Sequence, residues 1–169
     1  MRVMDAYLDI ETTGLSAGPD SITVVGIFIV DEYETRIIQL VGSEVTTDNL
    51  LTALDGVDTI FTYNGSRFDL PFIQIALGMN LEERFGHRDL MYDCWSCNLK
   101  GGLKRVEVTL NISRELQGIN GYDAVLLWQR YVNYQDKQAL ETLLHYNRED
   151  VVNLKALREK LEEIAWERF

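Results

Sequence analysis

The chain has 169 residues, 46% of them hydrophobic, enough for one sizeable core and too few for two, so one domain over residues 1–169 is expected. No apolar run approaches the roughly 20 residues of a membrane span, Met1-Arg2-Val3-Met4-Asp5 opens no long apolar leader, and two cysteines cannot build a disulfide framework; a cytoplasmic protein with no membrane association is expected. The net charge of −11 argues against binding through broad phosphate neutralisation, but not against chemistry on phosphate mediated by bound cations.

Residues 3–10 and 21–30 are apolar and rich in β-branched side chains, and the turn formers Thr13-Gly14-Leu15-Ser16-Ala17-Gly18-Pro19-Asp20 separate them. A third strand over 35–41 follows the polar turn Asp31-Glu32-Tyr33-Glu34 and completes a meander. Thr46-Thr47-Asp48 reads as a helix cap ahead of Leu50, Leu51 and Leu54. A fourth strand over 58–63 runs into the turn Asn64-Gly65-Ser66, and a short helix over 69–77 tolerates Pro71 in its first turn. Residues 89–93 read as a short fifth strand. Beyond the basic segment around Gly101-Gly102, apolar residues at helical spacing mark helices over 121–134 and 137–165, with Trp128 and its neighbours read as core. The order β-β-β-α-β-α followed by helices predicts an α/β fold with a mixed sheet flanked by helices.

Asp9 and Glu11 lie two apart near the end of the first strand, so both carboxylates project from one face. A charged pair on a buried strand is costly unless compensated, and a hard divalent cation suits oxygen ligands. Alone the pair is weak, because a solvated strand end is the far more ordinary explanation in so acidic a chain. Asp69 follows strand four; if that strand lies beside the first, their carboxyl ends adjoin and Asp69 faces the pair, although capping the following helix is an ordinary alternative. Tyr146 and Asp150 share a helix face, and the inward pattern of Leu143, Leu154 and Leu157 suggests that Asp150 points toward the body of the domain, although one exposed helix acid among many is the ordinary alternative.

Taken together, Leu8-Asp9-Ile10-Glu11-Thr12-Thr13-Gly14-Leu15, Tyr63-Asn64-Gly65-Ser66-Arg67-Phe68-Asp69 and Tyr146-Asn147-Arg148-Glu149-Asp150 resemble the three ordered motifs of the DEDD exonucleases. More narrowly, the chain resembles the YprB-like predicted exonucleases nearly end to end. The resemblance implies a ribonuclease H-like fold and a two-metal 3′-to-5′ exonuclease that releases nucleoside monophosphates from the 3′ end of DNA or RNA, single strands being favoured. It assigns Asp9, Glu11, Asp69 and Asp150 to two Mg²⁺ or Mn²⁺ ions, Asp9 bridging, Glu11 and Asp150 completing the ion that activates water, and Asp69 holding the other. Tyr146 would orient the water, its ordinary pKa near 10 making it a poor base at neutral pH. The family divides by a Tyr four residues before the last aspartate or a His five before it; both Tyr146 and His145 are present, and helical geometry favours Tyr146.

The segment after the first motif would touch the terminal nucleotide, through Thr12 and Leu15, with Asn64 adding a hydrogen bond and Phe68 a stacking surface. Lys104, with Lys100 and Arg105, would track a phosphate backbone or form a solvated face. Cys94-Trp95-Ser96-Cys97, even with His87, supplies too few ligands for zinc and reads as reduced structural thiols. The sign-mixed stretch 160–168 reads as an exposed helix end, or as a junction to a partner or further domain. The alternative function is a catalytically weak nucleic-acid-binding or adaptor domain on the same fold.

Overall fold

In the computed structural model, which describes residues 3–167, the β-branched first half forms four strands, β1 (Asp5–Thr12), β2 (Ile22–Val30), β3 (Thr35–Val41) and β4 (Thr59–Thr62), and a fifth, β5 (Gly86–Asp89), follows. They pair in the order β3-β2-β1-β4-β5, antiparallel between β1 and β2 and between β2 and β3, parallel between β1 and β4 and between β4 and β5. The helices are α1 (Thr47–Ala53), α2 (Asp69–Leu77), α3 (Leu90–Ser96), α4 (Leu103–Thr109), α5 (Gly121–Tyr134) and α6 (Lys137–Trp166). No helix among the described residues is long and apolar enough to cross a membrane.

Strand periodicity divides β1 between two cores. Ala6, Leu8 and Ile10 join Leu50, Leu54, Phe72 and Ile73 under α1 and α2. Tyr7 projects to the opposite face, stacks on Phe61 at 5.3 Å and joins Leu154 and Leu157 of α6. Asp9 and Glu11 follow Tyr7 on this second face, so the sheet places two carboxylates under α6 at the carboxyl end of its central strand. Because β4 runs parallel to β1, the Tyr63–Phe68 turn emerges at the same end and α2 starts beside it.

The caps follow the expected chemistry where side chains can reach. Thr46 accepts from the Asn49 N–H at the start of α1, and α6 runs unbroken through residues 145–150 from its Asp136 cap. The expected fifth strand over 89–93 is corrected: β5 occupies Gly86–Asp89, and Leu90–Ser96 is α3. Asp89 ends the strand and caps the helix, accepting from the Met91 N–H at 3.1 Å. On α5, Ala124 alone is buried, while Leu127 and Trp128 are half-covered against Leu143 and Tyr146. Cys94 is free and fully buried, its thiol pushed up to about 12 by burial, and Cys97 is free and half-buried, as expected of structural thiols. In the stretch 160–168, Lys160, Glu162 and Glu163 are exposed, whereas Arg168, like Met1 and Arg2, lies outside the described residues.

Candidate active site

A cavity of about 490 Å³ opens at the carboxyl ends of β1 and β4, bordered by Asp9, Glu11, Asp69, Tyr146 and Asp150. One oxygen each from Asp9, Glu11 and Asp150 can be chosen so that all three lie within 4.8 Å of one another. Asp69 stands apart from this trio but on the same cavity, and its Oδ1 accepts from the Ile10 backbone N–H at 3.0 Å. That bond ties the first turn of α2 to the middle of the carboxylate pair on β1.

At such separations an ionised carboxylate pair repels by roughly 3 to 4 kcal/mol at an effective dielectric of about 20, so the cluster cannot be fully charged without compensation. Burial first, then Asp150, Glu11 and Asp69, push Asp9 well above the usual carboxylate range. Burial and Asp150 raise Glu11 to about 8, and burial raises Asp69 to about 7 against the opposing backbone bond from Ile10. Two cationic side chains answer part of the charge. Lys104 Nζ sits 2.8 and 3.1 Å from the two oxygens of Asp150, and Arg114 Nη2 is 2.6 Å from Asp150 Oδ1. Arg114 is shared with Glu107, at 2.6 and 2.9 Å, which leaves the four cavity carboxylates in excess. An all-oxygen donor set carrying unneutralised negative charge fits hard divalent cations such as Mg²⁺ or Mn²⁺, which Asp9, Glu11 and Asp150 could hold.

This electrostatics has a measurable sign. The folded, metal-free protein keeps protons on Glu11 and Asp69 that the unfolded chain releases near pH 4, so stability should fall as pH rises from about 4 to about 8. A divalent ion must displace those protons. Thermal denaturation should therefore show millimolar Mn²⁺ raising the Tm by several degrees more at pH 8.5 than at pH 6, relative to EDTA; an equal effect at both pH values would contradict the assignment.

The other expected residues are placed as follows. Thr12, Leu15, Asn64, Phe68 and Lys104 all border the cavity. Thr12 Oγ1 donates to the Gly14 carbonyl at 2.6 Å, which shapes the turn after β1, while Leu15 is 87% exposed at the mouth. Asn64 takes a left-handed backbone, φ 61°, and its N–H donates to Asp89 Oδ1 at 2.8 Å. Asp89 also accepts from the Ser66 N–H and hydroxyl, so it holds the whole Asn64–Ser66 turn. Phe68 packs on Phe72 with ring centres 5.5 Å apart and keeps one side toward the cavity. Lys104 points inward to Asp150 and over the Tyr146 ring at 4.4 Å, whereas Lys100 and Arg105 stay exposed. His145, one residue from Tyr146, faces a different cavity and pairs with Glu115 at 3.0 Å.

Four features escaped the sequence reading. Asn147 donates toward Asp9 and Glu11; Arg114 reaches Asp150 from an irregular loop; and Tyr122 and Val125 at the start of α5 complete the apolar rim. The position of Asn147 inside the third motif was a usable signal for the first, while nothing in the pattern around Arg114 marks it.

A family model described as the RNase_H superfamily matches residues 6–162. The uncharacterized protein YprB of Bacillus subtilis (strain 168) is 28% identical over 170 residues, covering 89% of this chain and 40% of that protein; the chain thus spans less than half the length of this relative. The family B DNA polymerase of the hyperthermophilic archaeon Pyrobaculum calidifontis superposes with a TM-score of 0.69 at 20% identity, over 94% of this chain and 24% of that one. Brucella melitensis NrnC bound to pGG gives a TM-score of 0.62 at 23% identity, over 95% and 72%. The same protein with bound Mg²⁺ gives 0.59 at 20%, over 95% and 73%. At these identities the structural likenesses speak for the fold.

Proposed function

The chain belongs to the RNase_H superfamily, and on that premise we propose that it is a metal-dependent 3′-to-5′ exonuclease acting on DNA or RNA. One observation carries the proposal: one oxygen each of Asp9, Glu11 and Asp150 can lie within 4.8 Å of the others on a cavity that Asp69 and Tyr146 also line. Bound divalent ions would supply charge to the scissile phosphate and to both the attacking and the leaving oxygen of an in-line displacement. A cavity of about 490 Å³ has room for a strand end presenting one nucleotide at a time. The three motifs argue for the 3′ end, and a relative of this fold solved with pGG and with Mg²⁺ supports both ligand classes.

The chain's own groups divide the remaining work. Leu15, Phe68, Tyr122 and Val125 offer apolar surface to the terminal base, and the fixed Asn64 turn presents polar groups beside it. Tyr146 is held protonated at neutral pH, because burial and the Asp150 charge raise its phenol. It therefore acts as a hydroxyl that positions the attacking water rather than as a base. Its neighbour His145 plays no part in this reading because it opens to another surface.

The test is a 5′-labelled single strand incubated with Mg²⁺ or Mn²⁺ against EDTA. A ladder shortening from the 3′ end is expected, with DNA, RNA and duplex ends compared in parallel. In the same assay Tyr146→Phe should slow cleavage on the order of 10- to 100-fold through misplaced water, and His145→Ala about twofold at most. Tight binding without metal-dependent cleavage would instead establish a binding or adaptor domain, and a larger loss in His145→Ala would reverse the assignment of the water-positioning group.

A further inference from the structure

Asn147 has no exposed surface, and its amide is wedged between α6 and the centre of the sheet. Its Nδ2 lies 3.3 Å from both the backbone O and Oδ2 of Asp9, and 3.5 Å from Glu11 Oε1. Its Oδ1 accepts from Gln39 Nε2 at 3.0 Å, and the same Nε2 donates to the Leu144 carbonyl at 2.8 Å. These bonds fix which way both amides face. A backbone carbonyl only accepts, so Gln39 must turn its NH₂ toward Leu144 and Asn147; Asn147 must then turn its oxygen to Gln39 and its NH₂ to the carboxylates. The sheet makes room for the arrangement at one point. Gly26, the β2 partner of Asp9, has no side chain, and a Cβ there would lie 2.1 Å from Asn147 Oδ1.

We propose that Asn147 is a positioning residue for the divalent-ion ligands, and that Gln39 sets its polarity. The inference rests on the metal reading of the site given above and adds the device that holds the Asp9 and Glu11 carboxyl groups in register for an ion. Asp9 and Glu11 repel when ionised, and an NH₂ with two donors bridging them offsets that repulsion and fixes the direction of the remaining lone pairs. The bridge contacts one carboxyl oxygen of Asp9 and one of Glu11, and leaves the second oxygen of each carboxyl group to other partners. The Gln39 amide bonds to Leu144 and Asn147, so its influence on the ions passes through Asn147.

That serial arrangement makes the proposal testable without nuclease activity. Mn²⁺ affinity of the full chain would be measured by calorimetry and by electron paramagnetic resonance for wild type, Asn147→Leu, Gln39→Leu and the double variant, with Asp9→Asn identifying the site. Asn147→Leu is expected to weaken Mn²⁺ binding about 10- to 100-fold, in the range of lost outer ligand support. Gln39→Leu should weaken it about 3- to 10-fold, and adding it to Asn147→Leu should change nothing further. Wild-type affinity in Asn147→Leu, or effects that multiply in the double variant, would overturn the relay. If Asn147→Leu does not fold, half-buried Gln39 decides alone: weakened binding supports the relay and unchanged binding overturns it. Mn²⁺ binding that survives Asp9→Asn would instead overturn the metal reading itself, and a wild type that binds Mn²⁺ at this site but cuts nothing would overturn the exonuclease reading alone.

Discussion

Asp9→Asn should reduce cleavage at a 3′ end on the order of 10²- to 10³-fold while making the metal-free protein more stable. The two effects have one cause. Asp9 stands amid Glu11, Asp69 and Asp150, each of which raises its pKa together with burial, and it borders the cavity that would receive the ions. Replacing one carboxylate by an amide removes a charged ligand, and losses of a single well-placed electrostatic partner in such sites commonly reach two to three orders of magnitude. Without metal the same change removes like-charge repulsion. The substituted amide keeps an acceptor for Asn147 Nδ2 and gains a donor toward a neighbouring carboxylate. A gain of about 2 kcal/mol would raise the Tm by roughly 4 to 8 °C in a chain of this size at pH 8. Thermal denaturation in EDTA checks the sign. A variant that is inactive and also less stable would mean that Asp9 holds the fold rather than a strained cluster awaiting cations.

Much of this site could be anticipated from local periodicity, and the omissions have physical reasons. Asp9 and Glu11 share a face because strand geometry repeats every two residues, and Tyr146 and Asp150 share one because α6 does not break between them. The turn 64–66 and the start of α2 were legible from Asn64-Gly65 and Pro71. The fifth strand was misplaced because Gly86–Asp89 is a short edge strand of glycine and polar residues with no apolar alternation, whereas the apolar pair Leu90-Met91 lies in the first turn of α3. Lys104 looked like a phosphate contact because a lysine beside two glycines reveals no partner, and only the fold brings Asp150, 46 residues away, to its ammonium. Asn147 stood in plain view inside a motif but required Gly26 and Gln39, on two other strands, to show what it does.

The second large effect concerns Arg114, which no pattern marked. Its guanidinium, 6% exposed, grips both oxygens of Glu107, itself 3% exposed, and shares Nη2 with Asp150. Asn153 adds a bond of 3.2 Å to Glu107 and one of 3.2 Å to the Ser113 carbonyl, so the loop ahead of α5, α4 and α6 meet at this pair. Arg114→Met would leave Glu107 buried with a single neutral donor and Asp150 with Lys104 alone. Breaking a buried pair from one side costs about 3 to 5 kcal/mol, far more than the roughly 0 to 1 kcal/mol of an exposed bridge. Arg114→Lys keeps the charge but loses the two-pronged geometry, so an intermediate loss is expected. Chemical denaturation of Arg114→Met, Glu107→Leu and the double variant separates pair from packing. If the penalty is the orphaned charge at Glu107, the double variant should recover most of the stability that Arg114→Met loses, because two apolar groups of similar volume leave no buried carboxylate there, while Asp150 keeps Lys104 and Asn153 keeps the Ser113 carbonyl. A loss within about 1 kcal/mol in Arg114→Met would mean that water replaces the guanidinium, so that the pair does not hold α4 against the carboxylate cluster.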